Sequence, residues 1–136
     1  MAGYSGTPLP KKLGLKENQR VAFINAPADF QKTLGEIPAN AEIVKRLTSP
    51  LDLVMLFAEK EKQLKKQFSG IGAKLAANGM IWVAWPKKSS GVATDLDFNR
   101  VQRIGLDCGL VDVKICAIDD TWSGLKFVIR LKDRKK

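Results

Sequence analysis

Three runs of the chain are apolar without alternation, and they limit its fold more than any other feature. They are Arg20 to Asn25 (RVAFIN), Leu51 to Phe57 (LDLVMLF) and Met80 to Trp85 (MIWVAW). A strand with one wet face alternates polar and apolar residues, whereas a strand covered on both faces reads as a continuous apolar run. Burying three such strands calls for helices on both faces of a mostly parallel sheet, joined by right-handed crossovers.

The segments between the runs carry helical marks. Thr7-Pro8 to Gly14 reads as a short helix, with Thr7 as cap, Pro8 at its first position and Gly14 at its end. Leu9 and Leu13 fall on one face of it, and residues 1–6 are expected to be loose. Pro27 to Ile37 predicts a second helix turned inward by Phe30, Leu34 and Ile37 and closed by Pro38. Ala41 to Leu47 (AEIVKRL) is a weaker strand of mixed polarity, suited to a sheet edge. The longest helix is expected over Ala58 to Ala77, with Leu64, Phe68, Ile71 and Leu75 on one stripe. Glu61 and Lys65 can pair along its wet face. Gly70 and Gly72 weaken it by up to about 1 kcal/mol each relative to alanine, which points to a kink or close packing. Asn78-Gly79 reads as its stop.

After Met80 to Trp85 comes the basic stretch Pro86 to Gly91 (PKKSSG), which predicts a flexible loop. A helix start follows at Thr94, where Asp97 makes a near capping box. Val101, Ile104 and Cys108 mark that helix's inner face, and Gly109 closes it. Val111 to Ile118 and Leu125 to Leu131 both alternate, so they predict an antiparallel hairpin around Asp119 to Gly124. The basic tail 132–136 is expected to fray. The expected whole is a single α/β domain spanning 1–136: a Rossmann-like three-layer sandwich with a mostly parallel sheet ending in an antiparallel hairpin.

Composition narrows the chemistry. The chain has 136 residues and no histidine. That excludes Ser-His-Asp and Cys-His nucleophile systems and nearly all common zinc sites, so no metal is expected. Carboxylates, lysines and Tyr4 remain for any acid–base role, and no catalytic residue stands out. Cys108 and Cys116 lack metal-ligand spacing and read as reduced, semi-buried thiols. No apolar run approaches the roughly 20 residues of a membrane helix, and Met1 to Pro10 lacks the pattern of a secretory signal. The expectation is a cytoplasmic protein without a membrane partner.

The net charge is +9, unevenly spread: seven bases against two acids over 58–88, and six against one over 126–136. Such a field suits solubility, or attracts nucleic acid, acidic proteins or small anions. The helix segment KEKQLKKQF and the tail RLKDRKK could hold phosphates without reading sequence. Phe68, however, belongs to the apolar stripe and is not free to stack on a base.

The order of elements resembles the class I methyltransferase fold in shortened form. The segments SGTPLPKKLG (5–14), WVAWPKKSSGVATDL (82–96) and 109–128 also resemble a family of small bacterial proteins known only as a domain of unknown function. The resemblance implies the fold and a bacterial origin, and it carries no activity with it. The chain departs from the methyltransferase pattern twice. An adenosylmethionine site needs a glycine-rich turn after the first strand, where this chain has Asn25-Ala26-Pro27-Ala28-Asp29. The next strand should end in an acid for the ribose, where Lys45 and Arg46 stand. No cofactor is predicted.

Ligands of open parallel sheets bind at the carboxyl ends of the strands. The Asn25 to Asp29 turn, the Phe57-Ala58-Glu59 turn and the Trp85 to Gly91 loop share that edge. If Val111 to Ile118 runs parallel to the others, Asp119 to Gly124 joins them. Trp85, Lys87, Lys88, Ser89 and Ser90 would then face Asp119, Asp120, Thr121, Trp122 and Ser123. Two lysines with hydroxyls could hold a phosphate or carboxylate, although PKKSSG lacks the glycines of a P-loop. The alternative is structural: a lysine–aspartate pair, with Trp122 lidding the core. The leading expectation is a domain binding a small anionic ligand or partner group between these loops. A nucleic-acid-associated protein and a degenerate methyltransferase-like enzyme are the other two.

Overall fold

The computed structural model describes residues 8–48 and 50–134. One six-stranded sheet runs through it, formed by β1 (Arg20–Ile24), β2 (Glu42–Ile43), β3 (Leu51–Phe57), β4 (Leu75–Pro86), β5 (Leu110–Ala117) and β6 (Trp122–Ile129). The spatial order is β2-β1-β3-β4-β6-β5. The first four strands are mutually parallel, and β6 lies antiparallel between β4 and β5. β5 therefore points the same way as the first four, and its carboxyl end reaches the same edge. This is the expected Rossmann-like sheet.

The three unalternating runs sit where both faces are covered. On one face α3 (Glu61–Gly72) and α4 (Phe98–Asp107) bring Leu64, Phe68, Ile71, Val101 and Ile104 onto Val54, Leu56, Ile81, Val83 and Phe127. On the other, α1 (Leu9–Leu13) and α2 (Phe30–Leu34) bring Leu13, Phe30 and Leu34 onto Val21, Leu53, Met55, Phe57 and Trp82. Trp82 and Trp85, three apart on a strand, point into opposite cores, and both are buried. The Trp82 indole N–H donates to Leu13 O at 2.8 Å, which fixes α1 to the sheet.

Several boundaries differ from the sequence reading, each for a physical reason. The 58–77 helix stops at Gly72 because Leu75 pairs with Leu51 as a strand residue. Its place on the helical stripe was a coincidence of spacing. Nothing lies within 4 Å of a side chain added at Gly70 or Gly72, so they mark no close packing. Asn78-Gly79 is a bulge within β4: a two-residue step on β3 answers a five-residue step on β4. A Cβ on Gly79 would meet Leu51 O at 2.7 Å, so glycine is needed there.

α2 ends at Gly35 (φ 79°), well before Pro38, and Ile37 packs on the core from outside the helix. The AEIVKRL strand shrinks to Glu42–Ile43, at the sheet edge as expected. α4 starts at Phe98 with Asp97 as its cap, accepting from Arg100 N at 2.8 Å. Thr94 is not the cap; its hydroxyl donates to Glu59 O. Cys108 is exposed and not on the inner face; Gly105 takes the inner position, against Phe127.

β5 is an edge strand with an irregularity between Asp112 and Lys114, which turns Val113 and Ile115 outward at 54% and 53% exposure. β6 begins at Trp122 and ends at Ile129, leaving Leu131 in a short 3-10 turn. There the tail folds back, Arg134 Nε donating to Ile129 O at 2.9 Å. The expectations for residues 1–7 and for Lys135 and Lys136 lie outside the described residues. Among the described residues no helix is long and apolar enough to cross a membrane.

Candidate functional site

The two loops expected to converge do meet, and the backbone makes the contact. Trp85 pairs with Ser123 and Pro86 with Trp122 across β4 and β6. Lys87 N–H then donates to Thr121 O at 2.7 Å. Beyond it, Lys88–Ser90 form a 3-10 turn closed by Gly91 at φ 80°. The Ser90 hydroxyl donates to Lys87 O at 2.6 Å and accepts from Val92 N at 3.1 Å.

The rest of the loop is laced to the start of α3. Thr94 Oγ1 donates to Glu59 O at 2.6 Å, and Asp95 N donates to the same carbonyl at 3.3 Å. Asp95 Oδ1 accepts from Glu61 N at 2.7 Å, so a residue distant in sequence caps the helix. The stretch expected to be flexible is therefore held at both ends.

The opposing turn is self-contained. Asp119 Oδ1 accepts from Thr121 N and Trp122 N, both at 2.8 Å, which makes Asp119 the residue that shapes the turn. Asp120 is exposed. Among the described residues no salt bridge joins Lys87 or Lys88 to Asp119 or Asp120; the pairs formed are Glu61 with Lys65 (3.1 Å) and Glu61 with Arg100 (3.2 Å). Trp85 is buried in the core under α3 and α4, while Lys88 and Ser89 are exposed.

The recess lies next to this junction. A cleft of about 340 Å³ opens across the carboxyl ends of β1 and β3. Asn25 and Pro27 line it from the turn after β1, Phe57, Ala58 and Glu59 from the end of β3, Gln63 from α3, and Trp122 from the hairpin. Of the ten residues expected at the site, Trp122 alone lines this cleft. Its ring meets Phe57 edge-on, with centroids 5.1 Å apart at 89°. Phe57 meets Phe30 at 4.9 Å, and Phe30 meets Phe23 at 5.2 Å, so a row of aromatic edges braces the wall.

Asn25 takes φ 60°, the left-handed conformation that glycine would supply at such a turn. Asparagine tolerates it better than most side chains. Its amide nitrogen is hydrogen-bonded to Phe57 O at 3.3 Å and Gln67 Oε1 at 3.2 Å. The turn thus has the backbone shape without glycine, and it carries a side chain where glycine would leave room. Asn25 was expected on this edge as part of the turn after β1, but not as a site residue; Gln63 and Gln67 were not expected at all. The four-residue spacing of Gln63 and Gln67 at the head of the long helix was the available signal.

The strand order, the single antiparallel strand and the carboxyl-edge cleft together define a Rossmann-like fold of the class I methyltransferase type. The chain is similar to magnesium protoporphyrin IX methyltransferase from Synechocystis PCC 6803 with bound SAM, with a TM-score of 0.61 and 10% identity over 90% of this chain and 74% of that one. It is equally similar in fold to precorrin-6y C5,15-methyltransferase from Geobacter metallireducens, with a TM-score of 0.61 and 9% identity over 90% and 86% of the two chains. A TehB-like SAM-dependent methyltransferase from Corynebacterium glutamicum aligns at a TM-score of 0.58 and 10% identity over 95% and 91%. At such identities the likeness establishes the fold and not the reaction. No protein-family model matches the chain, and no curated protein matches it.

Proposed function

We propose that the chain is a small-ligand-binding domain on a methyltransferase-type fold, holding a compact molecule in the carboxyl-edge cleft. The observation that carries this reading is the cleft itself, opening over β1 and β3 and closed on one side by Trp122. Its lining is mixed as binding sites are, with apolar surface from Pro27, Phe57 and Trp122 beside a few polar groups. Asn25 and Gln63 can donate and accept, and Glu59 can accept from hydroxyl or amine groups.

Charge gives the ligand a direction. Glu59 is the charged group of the lining and repels an anion, while Lys87 and Lys88 stand on the adjoining loop. An anionic ligand would seat its neutral, donor-bearing part against Glu59 and turn its phosphate or carboxylate toward the lysines. The motifs quoted above support kinship with small bacterial proteins, and that kinship rests on those motifs alone.

Adenosylmethionine-dependent methyl transfer is the second reading, favoured by the fold of the similar structures. The Asn25 side chain weighs against it, since it stands where glycine would leave room, and so does the lack of an acid directly after β2, where Val44, Lys45 and Arg46 follow.

A thermal-shift screen against nucleosides, nucleotides, organic phosphates and adenosylmethionine tests both. A ligand at about 100 times its Kd adds roughly 2.7 kcal/mol, enough to raise Tm by roughly 5–10 °C in a domain of this size. Trp122→Ala should abolish the shift. The double change Lys87→Ala with Lys88→Ala should weaken charged ligands and spare uncharged analogues. A shift that survives Trp122→Ala, or a screen that moves nothing, defeats the binding reading. A shift confined to adenosylmethionine favours the second.

A further inference from the structure

Lys126 lies four residues along β6 from Trp122, about 13 Å down the strand, in a group of lysines that takes no part in the cleft. Lys114 and Lys126 are direct partners in the β5–β6 pairing. Like charges set opposite each other on antiparallel strands repel, and an acid at either position would relieve the repulsion. None is supplied. Burial, Lys114 and Lys16 disfavour the charged form of Lys126, and only the Cys116 thiol acts the other way; Cys116 in turn lies in the field of Lys12, Lys114 and Lys126.

The side chains are also positioned. The Lys126 ammonium stands 5.9 Å from the centre of the Trp82 ring, which supports it from one side. It lies beside Gly14, where an added Cβ would come within 3.7 Å of it. Lys114 Nζ donates to Lys12 O at 3.2 Å. Among the described residues this is its one hydrogen bond, and an ammonium has three donors. A cation against the last turn of a short helix is ordinary. That accounts for Lys114, not for a second lysine set directly across from it.

We propose that Lys114 and Lys126 form a binding site for a multiply charged oxyanion of the phosphate type, where the end of α1 meets the β5–β6 hairpin. The bound anion removes the repulsion between the cross-strand pair and takes up the donors left open. Lys12 stands at the same rim. This site is independent of the cleft, and each can fail without the other.

The probe is inorganic pyrophosphate at millimolar concentration, read by thermal shift against sodium chloride of equal ionic strength. The wild-type chain should gain several degrees in pyrophosphate beyond the salt control. Lys126→Gln and Lys114→Gln should each lose that gain while melting higher than wild type without the anion, because the repulsion is gone. Lys62→Gln, on the far face, should keep the gain.

An equal rise in sodium chloride, or a gain that persists in both variants, overturns the proposal. So does a lower melting temperature in both variants without the anion, since lysines that merely anchor α1 would behave that way. A second arm uses a short single-stranded RNA: binding of RNA that needs Lys114 and Lys126, with no response to pyrophosphate, overturns the small-oxyanion site in favour of a nucleic-acid backbone.

Discussion

At Gly105 the backbone of α4 lies so close to Phe127 that an added Cβ would fall 2.0 Å from the ring. Gly105→Ala must push the helix from the sheet or turn a ring that is fully buried. Overpacking of this kind costs about 1–3 kcal/mol, and the better helix propensity of alanine offsets part of it. A net loss of roughly 1–2 kcal/mol is expected in urea denaturation. Gly70→Ala is the opposite case. It is a helical glycine facing open space, and the change should gain up to about 1 kcal/mol. The two glycines look alike in the sequence, because nothing local records what stands across from them. The thiols behave similarly. Burial raises Cys116, partly offset by Lys12, Lys114 and Lys126, while burial and Asp107 raise Cys108. Iodoacetamide should therefore label both slowly at neutral pH, with exposed Cys108 first by mass spectrometry; prompt labelling of Cys116 would contradict this packing.

Elements whose residues reported their own burial were legible. Leu51 to Phe57 has the bounds its apolar run implies, because a strand covered on both faces leaves no other reading. Elements that depend on a distant partner were not. Leu75 continues a helical stripe by spacing, yet Leu51 claims it for the sheet. Thr94 looks like a cap and instead binds Glu59, while Asp95 caps a helix that begins far upstream of it. That cross-chain cap gives a prediction. Asp95→Ala leaves Glu61 N without its acceptor and should cost about 1 kcal/mol, in line with helix caps generally. Asp97→Ala should cost about the same at α4. The discriminating measurement is hydrogen exchange: Asp95→Ala should speed exchange at the start of α3, although the substitution lies in a loop before α4.

For the whole molecule, the carboxyl edge and the meeting of the two loops were legible in the sequence. The cleft beside them was not legible, since its lining comes from α3, the turn after β1 and the hairpin, which meet only in the fold. The charge was legible segment by segment but not as a cluster, because Lys114 and Lys126 come together only in the fold. Their repulsion has a sign. Burial, then Lys114 and Lys16, hold the Lys126 ammonium below the ordinary 10.5. The unfolded chain therefore binds that proton more tightly, and this residue's contribution to stability increases as pH climbs from its lowered value toward 10.5. Cys108 and Cys116, both raised above 9.0, act in the opposite sense in the alkaline range. The prediction therefore concerns a difference: urea midpoints of wild type minus Lys126→Gln should increase with pH over that interval. A flat difference would mean that Lys126 is not crowded in solution.

The lacing of the 91–97 stretch onto Glu59 bears on how the cleft could work. One carbonyl holds Thr94 and Asp95, and the residue that supplies it, Glu59, lines the cleft. The mouth is thus framed by main chain already committed to other bonds. An arriving molecule would meet a preorganised rim and spend little of its affinity on ordering a loop. Association should then be fast and limited by shedding water from Trp122 and Glu59, and the protein's discrimination would rest on shape and not on closure.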